Sequence, residues 1–224
     1  MSHLKSLCAP RTWHILRKGR RYIAKSSPGT HAEDLAMPLV VVLRDVLGVG
    51  KTRFELKKIM RQKDVLIDGK KMLNERFPIG LFDVLSIGSN HYRMIINSKG
   101  RVVPLPITSN EASTKVCKVK SKQLIKKGKM QVTFHDGTTL VTDTPMRVGD
   151  SVVVQLPKRT IVKVLTPTEG AHIYLMKGKH SGIVGKLIEL KKESAVYSID
   201  GEQDVTPKKY LVVVGHEEPL ITLK

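Results

Sequence analysis

The sequence GVGKTRFELKKIMRQKDVLIDGKKM, residues 48–72, decides the fold of the chain around it. Thr52 and Glu55 have the spacing of a capping box, which predicts a helix that begins at Arg53. Asp68-Gly69 is flanked by apolar residues, and this pair is typical of the two-residue turn of a type I′ hairpin. The stretch therefore predicts a short helix that leads directly into a tight β-hairpin.

The predicted helix has one apolar face and one basic face. At about 100° per residue, one arc carries the side chains of Leu56, Ile59 and Met60. The arc beside and opposite it is basic, and two more lysines follow the hairpin turn, so that helix and hairpin present one concave surface for phosphate groups. A solvated helix with a charged outer face would show the same pattern. The candidate contact residues of this surface are Lys51, Arg53, Lys57, Lys58, Arg61, Lys70 and Lys71.

Gly50-Lys51-Thr52 resembles the end of a Walker-type nucleotide-binding loop. That motif needs a glycine five residues before Gly50, where this chain has Asp45. It also needs a preceding buried strand, whereas residues 39–47 fit a short amphipathic helix that ends at Gly48. We therefore interpret Thr52 as a helix cap and not as a ligand.

The composition indicates a protein that binds a polyanion. The chain has 224 residues, enough for two or three small domains, and a net charge of +19 from 39 basic and 20 acidic residues. This excess favours nucleic acid as the partner over an anionic membrane surface. No run has the length of a transmembrane helix, and the N-terminus lacks the apolar core of a signal peptide. Aromatic residues, at 4%, are too few for a single-strand binder built on many stacking platforms.

The cysteine count argues against a disulfide framework or a zinc site, because the chain has only Cys8 and Cys117. The spacing of His3, Cys8 and His14 matches no zinc pattern. We expect an intracellular, reduced protein without a bound metal.

The N-terminal segment, residues 1–30, carries seven basic residues and no acidic one, and prolines and glycines interrupt any helix in it. Such a segment buries too little apolar surface to fold alone, which predicts a basic extension that becomes ordered on its partner. Trp13 has two interpretations that the sequence leaves open: it docks on the first domain, or it stacks on a base or sugar. The candidate contact residues of the segment are Arg11, Trp13, His14, Arg17, Lys18, Arg20 and Arg21.

The rest of the chain changes from mixed to β structure. The pattern of residues 31–87 predicts a compact α/β unit whose last strand lies within residues 78–87 and is entered through a Pro/Gly turn. Beyond His91, turn dipeptides alternate with β-rich runs, which is typical of small barrels or sandwiches. An acid-free run of lysines predicts a second contact strip, made of Lys115, Lys118, Lys120, Lys122, Lys126, Lys127 and Lys129. A glycine-rich loop within residues 174–188 exposes three further candidates, Lys177, Lys179 and His180.

These motifs, in this order, resemble those of known RNA-binding proteins. Residues 52–55 (TRFE) with the following VLIDG hairpin resemble the RNA-binding module first named from bacterial small-subunit ribosomal protein four. KGKHSGIVG, residues 177–185, resembles a KOW motif. Residues 11–18 (RTWHILRK), 38–47 and 77–87 (FPIGLFDVLSI) look like the archaeal and eukaryotic e-type ribosomal protein four family. The resemblance covers residues 8–215, and the shorter archaeal form matches the length better than the eukaryotic one.

This resemblance implies a multi-module α+β fold and a structural role. The implied parts are a basic N-terminal extension (1–36), a helix–hairpin RNA-binding module (37–92), a central β domain (93–168) and a KOW-type small barrel with a tail (169–224). The implied function is that of a structural constituent of the small ribosomal subunit in the cytoplasm, which binds ribosomal RNA, contacts neighbouring ribosomal proteins and serves translation. The resemblance implies no catalysis, cofactor, membrane or small-molecule substrate.

Two rival functions belong to other classes. An RNA-modifying enzyme would need converging acidic residues, whereas Asp83, Asp136, Asp143 and Asp150 are scattered and lie mostly beside turns, where aspartate has a backbone role. A transcription or translation factor that uses the barrel for protein contacts would need an exposed apolar patch near Ile183 and Leu187. These two positions fit the alternation of a core instead.

Overall fold

The computed structural model describes residues 3–62, 64–125 and 128–223, and the chain divides into two compact units, Met1–Ser113 and Thr114–Lys224. The described residues are mostly β-structure with few helices, as the sequence predicts. Over the same three ranges, no helix is long and apolar enough to cross a membrane.

The elements of the first unit, within residues 3–62 and 64–113, are β1 Leu4–Lys5, β2 Tyr22–Ile23, β3 Ala36–Pro38, α1 Leu39–Val41, α2 Arg53–Gln62, β4 Val65–Ile67, β5 Lys70–Lys71, β6 Pro78–Gly80, β7 Val84–Ile87, β8 Asn90–Ile96 and β9 Val102–Ile107. They form a five-stranded antiparallel sheet in the order β5-β4-β7-β8-β9 and two shorter strand pairs, β1-β2 and β3-β6. One continuous helical segment consists of α1 and a π-helical turn at Val42–Val46, and α2 follows it.

The helix and hairpin of residues 48–72 are confirmed. The Glu55 amide donates to Thr52 Oγ1 at 3.2 Å, and the Glu55 carboxylate accepts from the Lys51 amide at 2.9 Å, so α2 begins at the predicted cap. Asp68 and Gly69 have φ of +51° and +76°, as a type I′ turn requires. The predicted helix over residues 39–47 also forms, and it ends at Gly48, whose φ is +65°.

The strand predicted within residues 78–87 forms as β7, but the prediction missed a second strand, β6, which a tight turn separates from β7. Phe82 lies in this turn with φ of +67°, and its amide donates to the Met94 carbonyl at 2.8 Å. The Asp83 carboxylate accepts from the Gly80 amide at 2.9 Å and closes the turn. The sheet then continues through β8 and β9, so the predicted boundary after residue 92 falls inside a strand.

The prediction that the N-terminal segment becomes ordered only on its partner is also wrong. Strands β1 and β2 pair with each other, and the Trp13 side chain is 1% exposed. Its indole Nε1 donates to the Ala36 carbonyl at 2.7 Å, and its backbone forms a parallel bridge with Val102, the first residue of β9. The segment folds because it shares the core of the first unit. Of the two interpretations of Trp13, docking is therefore correct, and stacking on RNA is excluded by burial.

The strands of the second unit, within residues 114–125 and 128–223, are β10 Thr114–Leu124, β11 Met130–Phe134, β12 Thr139–Thr142, β13 Ser151–Gln155, β14 Thr160–Leu165, β15 His172–Leu175, β16 Val184–Leu190, β17 Ser194–Ile199, β18 Glu202–Pro207 and β19 Leu211–Gly215. They form two five-stranded antiparallel sheets, in the orders β12-β11-β10-β13-β14 and β18-β17-β16-β15-β19. The core of the first of these sheets includes Cys117, Val119, Val132, Phe134 and Val152.

Two lysines of the predicted contact strip are structural instead. Lys115 is buried and pairs with buried Asp136 at 2.9 Å. Lys118 is buried too, and its ammonium donates to the carbonyls of Lys208, Lys209 and Leu211 at 2.8, 3.1 and 2.6 Å. Residues three apart on a strand face opposite sides of a sheet, and both sides of β10 are covered here, since residues 115–119 are all buried. Lys120, Lys122 and Lys129 are exposed, while Lys126 and Lys127 lie outside the described residues.

Candidate nucleic-acid interface

The first basic surface, which we call the helix–hairpin surface, lies on α2 and the hairpin of β4 and β5. All of its predicted members are exposed, because α2 buries Leu56 and Met60 and turns its charged arc to solvent. Lys58, Arg61 and Lys70 form no ion pair with any described residue. The exposed ring of Phe54 lies on the same helix and was not singled out from the sequence. The members are Lys51, Arg53, Lys57, Lys58, Arg61, Lys70 and Lys71.

A buried carboxylate under this surface holds two of its cations. Arg53 donates to Glu75 through Nε at 2.7 Å and through Nη2, and the Lys57 ammonium lies 3.9 Å from the same oxygen. The hydrogen bond from Arg53 holds the pKa of Glu75 below its usual value, although burial acts in the opposite direction. Lys71 pairs with exposed Asp64 at 2.8 Å. No local pattern in the sequence pairs Glu75 with the helix, since 22 residues separate it from Arg53.

The second basic surface, which we call the N-terminal cleft, has a volume of about 940 Å³. It gathers the predicted residues Arg11, His14, Arg17, Lys18 and Arg20 in one place, whereas Arg21 is exposed beside it with its guanidinium 5.3 Å from the Tyr22 ring. Sequence reasoning assigned no role to two further cations of its lining, Arg44 and Arg101.

Arg17 has an internal role that the sequence does not predict. Its guanidinium donates to the carbonyls of Ala9 and Pro10 at 2.8 and 2.6 Å, which fixes the loop that carries the other cations. Arg44 forms two hydrogen bonds with Asp45, at 2.8 and 2.7 Å, and this contact raises its pKa. Two arginines of the cleft, Arg17 and Arg44, therefore have partners within the protein, whereas its other cations are exposed.

The third predicted surface is the loop between β15 and β16. Lys179 is well exposed and lies 3.9 Å from Asp204. The His180 imidazole packs edge-on against Tyr197, 3.1 Å from its hydroxyl, and 3.7 Å from Asp204, so it stabilises the loop and is half-buried. Burial raises the pKa of the Tyr197 phenol. Lys177 is half-buried, which leaves Lys179 as the most exposed predicted cation of this loop.

Exposed arginines and lysines in both units form the electrostatic pattern of proteins that bind polyanions. Comparison with known proteins identifies the family. The model of the RS4NT (NUC023) domain matches residues 2–34, and the model of ribosomal family S4e matches residues 89–161.

Relatives of this chain match over nearly its whole length. The small ribosomal subunit protein eS4 of Methanocella arvoryzae is 38% identical over 98% of this chain and 97% of its own. The eS4 protein of Methanopyrus kandleri is 32% identical over 99% of this chain and 95% of its own. The crystal structure of the 30S ribosomal protein S4e from Thermoplasma acidophilum has a TM-score of 0.70 at 30% identity, and covers 81% of this chain and 96% of that chain. The chain belongs to the S4e family of ribosomal proteins.

Proposed function

We propose that this chain is a structural constituent of the small ribosomal subunit and binds its ribosomal RNA through phosphate and shape contacts. The similarity to eS4 proteins over 98% of the chain carries this proposal, because those relatives are named as small-subunit proteins. The net charge of +19 supports it, since each phosphate contact by lysine or arginine releases counterions from the RNA. The protein then serves translation in the cytoplasm, beside neighbouring small-subunit proteins.

The helix–hairpin surface is the part best suited to a folded RNA. The major groove of an A-form helix is too deep and narrow for side chains, so cations on a rigid helix contact the phosphate rows instead. Lys58, Arg61 and Lys70 suit this task because they are exposed and unpaired within the described residues. Arg53 and Lys57 stay partly exposed above Glu75, which orients them toward the same surface.

The other modules add contacts to the same RNA. The sheet of β15–β19 is the KOW-type barrel of the proposal, with Lys179 on its exposed loop, and the hairpin of β10 and β11 adds Lys120, Lys122 and Lys129. Several weak contacts on one chain raise the overall affinity through effective concentration.

Sedimentation tests the assignment directly. In a sucrose gradient of a native cell extract, we expect this chain to migrate with the small ribosomal subunit and to stay there at moderate salt. A chain that remains at the top of the gradient would be a soluble factor, and the assignment to the ribosome would be rejected.

Charge reversal tests the helix–hairpin surface. The triple variant Lys58→Glu, Arg61→Glu and Lys70→Glu should fold normally, because none of the three side chains has a partner in the described residues, and should fail to enter small subunits. Arg53 is left unchanged because a glutamate there would face buried Glu75. The matched control reverses three exposed lysines outside the predicted surfaces, Lys158, Lys163 and Lys192. Equal incorporation of the two folded variants would exclude this surface.

The rival functions have less support. An enzyme would need carboxylates that act on a substrate, yet three of the candidate aspartates have internal roles. Asp83 lies 2.9 Å from His31, and Asp136 pairs with Lys115. The Asp150 carboxylate accepts a hydrogen bond from the Arg147 amide at 2.8 Å. For a factor that docks proteins on its barrel, Ile183 and Leu187 would have to form an exposed apolar patch, whereas Leu187 is 1% exposed and Ile183 is half-buried.

A further inference from the structure

The N-terminal cleft is assembled from three parts of the first unit that lie far apart in the sequence. Residues 11–23 form one wall, the π-helical turn at Val42–Val46 contributes the second, and the turn that follows β8 contributes Arg101. The backbone pairing of Trp13 with Val102 brings the first and third walls together. Because the walls are held by core contacts, the cleft exists before any ligand binds.

The charge of the cleft favours an anionic ligand. Asp45 is the one carboxylate among the described lining residues, and Arg44 neutralises it through two hydrogen bonds. Arg17 is engaged with backbone carbonyls. The remaining cations of the cleft are Arg11, Lys18, Arg20 and Arg101. All four are exposed, and they form no ion pair with any residue that the structure describes.

The size and the apolar lining of the cleft suit a ligand that is larger than a phosphate group and has an apolar part. Ile15 and Ile23 line it beside the buried indole of Trp13, and the Leu16 side chain at its edge is 89% exposed. The ring of exposed His14 belongs to the same lining. The volume of about 940 Å³ leaves room for a whole nucleotide. An RNA duplex offers rows of phosphates, but its bases are stacked inside and present no apolar face to such a cleft. An unpaired nucleotide that is splayed from the strand offers a phosphate group and the apolar face of its base.

We infer that the N-terminal cleft takes a single unpaired nucleotide of the RNA, with its phosphates among the four exposed cations and its base against His14, Leu16 and the isoleucines. This inference rests on the proposed function and deepens it. The helix–hairpin surface contacts phosphates of paired RNA, and the cleft recognises a place where one base leaves the stack. The protein thereby gains a contact that depends on RNA secondary structure and not on charge alone.

Photocrosslinking locates the ligand of the cleft. The full chain carries p-benzoylphenylalanine in place of Leu16, is bound to a transcript of small-subunit ribosomal RNA and is irradiated, and primer extension maps the crosslinks. We expect one dominant crosslink, at an unpaired nucleotide. Crosslinks spread along paired strands would overturn the inference. Absence of any binding by the unmodified chain would reject the proposed function instead, so the two failures are distinguishable.

Removal of the base tests recognition directly. An abasic substitution at the crosslinked nucleotide should weaken binding of the full chain about tenfold, the order of loss for one stacked base. His14→Ala should also weaken binding, and the two changes together should cost no more than the larger one alone, since both remove the same contact. Fully additive losses, or no loss with the abasic RNA, would overturn the inference.

A charge variant and its matched control separate the cleft from general electrostatics. Arg101→Ala should weaken binding about tenfold, whereas Lys99→Ala should change it less than twofold. Lys99 is an exposed cation on the same turn, but it lies outside the lining of the cleft. Equal losses for the two folded variants would mean that the turn contributes only long-range charge, and the inference would fail.

Discussion

Two opposing effects act on the ammonium group of Lys118. Burial in the second unit disfavours its charge, whereas the three backbone carbonyls that accept its hydrogen bonds favour it. Burial, with a smaller contribution from the charge of Lys208, lowers the pKa of Lys118 from 10.5 to about 8. The side chain joins β10 to the segment that leads into β19, so this one residue links the two sheets of the unit.

The lowered pKa of Lys118 predicts that the second unit becomes more stable between about pH 8 and pH 10.5. In this range the folded state has released the proton and the unfolded state still holds it, so stability rises with pH; below pH 8 both states hold it. Between pH 7.5 and 9.5 the free energy of unfolding should rise by roughly 2 kcal/mol from this residue. Urea unfolding at the two pH values measures the change.

Lys118→Met is the control for this pH dependence. The variant leaves three carbonyls without their donor and is less stable at every pH, so the informative quantity is the change between the two pH values. That change should disappear in the variant. The same rise in both proteins would assign it to another group. Tyr197, whose pKa is raised, acts in the opposite direction, and its effect lies mostly above this range.

At the scale of elements, the N-terminal segment depends on one anchor. Strands β1 and β2 are only two residues long, and the loop between them is held by Arg17 and by the indole of Trp13. A strand pair of this length is not stable alone in water. The segment is ordered because Trp13 packs into the core of the first unit, to which β3, β8 and β9 also contribute. The N-terminal cleft exists because the segment is ordered.

Trp13→Ala should therefore destabilise the first unit by about 3–5 kcal/mol, the usual loss for a large buried aromatic side chain. Hydrogen exchange measured by mass spectrometry should show faster exchange across residues 3–36. Trp13→Phe, which loses the hydrogen bond to Ala36 but keeps most of the volume, should lose less stability. If Trp13→Ala kept full stability and lost only RNA affinity, the residue would be a contact and not an anchor.

Some elements follow from local signals and others do not. The capping box of α2, the Asp68-Gly69 turn and Gly48 at the end of the preceding helix act within a few residues, so the sequence predicts them correctly. The turn at Phe82 carries no such signal, because its positive φ is held by a hydrogen bond to Met94 on the neighbouring strand. The sequence therefore predicts one strand where the chain makes two.

At the scale of the whole molecule, binding should draw on both units. The affinity of a polycation for RNA falls with salt, and the slope on logarithmic axes reflects the number of phosphates neutralised. Lys58 lies in the first unit and Lys120 in the second, and both are exposed.

Substitution of either lysine by alanine should reduce the slope for binding to small-subunit ribosomal RNA by about one, and the double variant should reduce it by about two. Filter binding between low and moderate salt measures the slopes. Lys158→Ala, at an exposed lysine outside the predicted surfaces, serves as the control and should leave the slope unchanged. A double variant with the slope of the Lys58→Ala variant would show that the hairpin of β10 and β11 does not touch the RNA.

The sequence by itself determined the class of partner, the helix–hairpin stretch and the β-rich character of the second half. Net charge, capping residues and turn dipeptides are properties of single residues or close neighbours, so they can be evaluated without a fold. The tertiary structure decided which of the basic residues face solvent. It buried Lys115, Lys118 and Trp13, placed Glu75 under Arg53, and brought Arg44 and Arg101 into the N-terminal cleft. These outcomes depend on contacts between residues that are far apart in the chain, and such contacts cannot be predicted from the spacing of residues along a sequence.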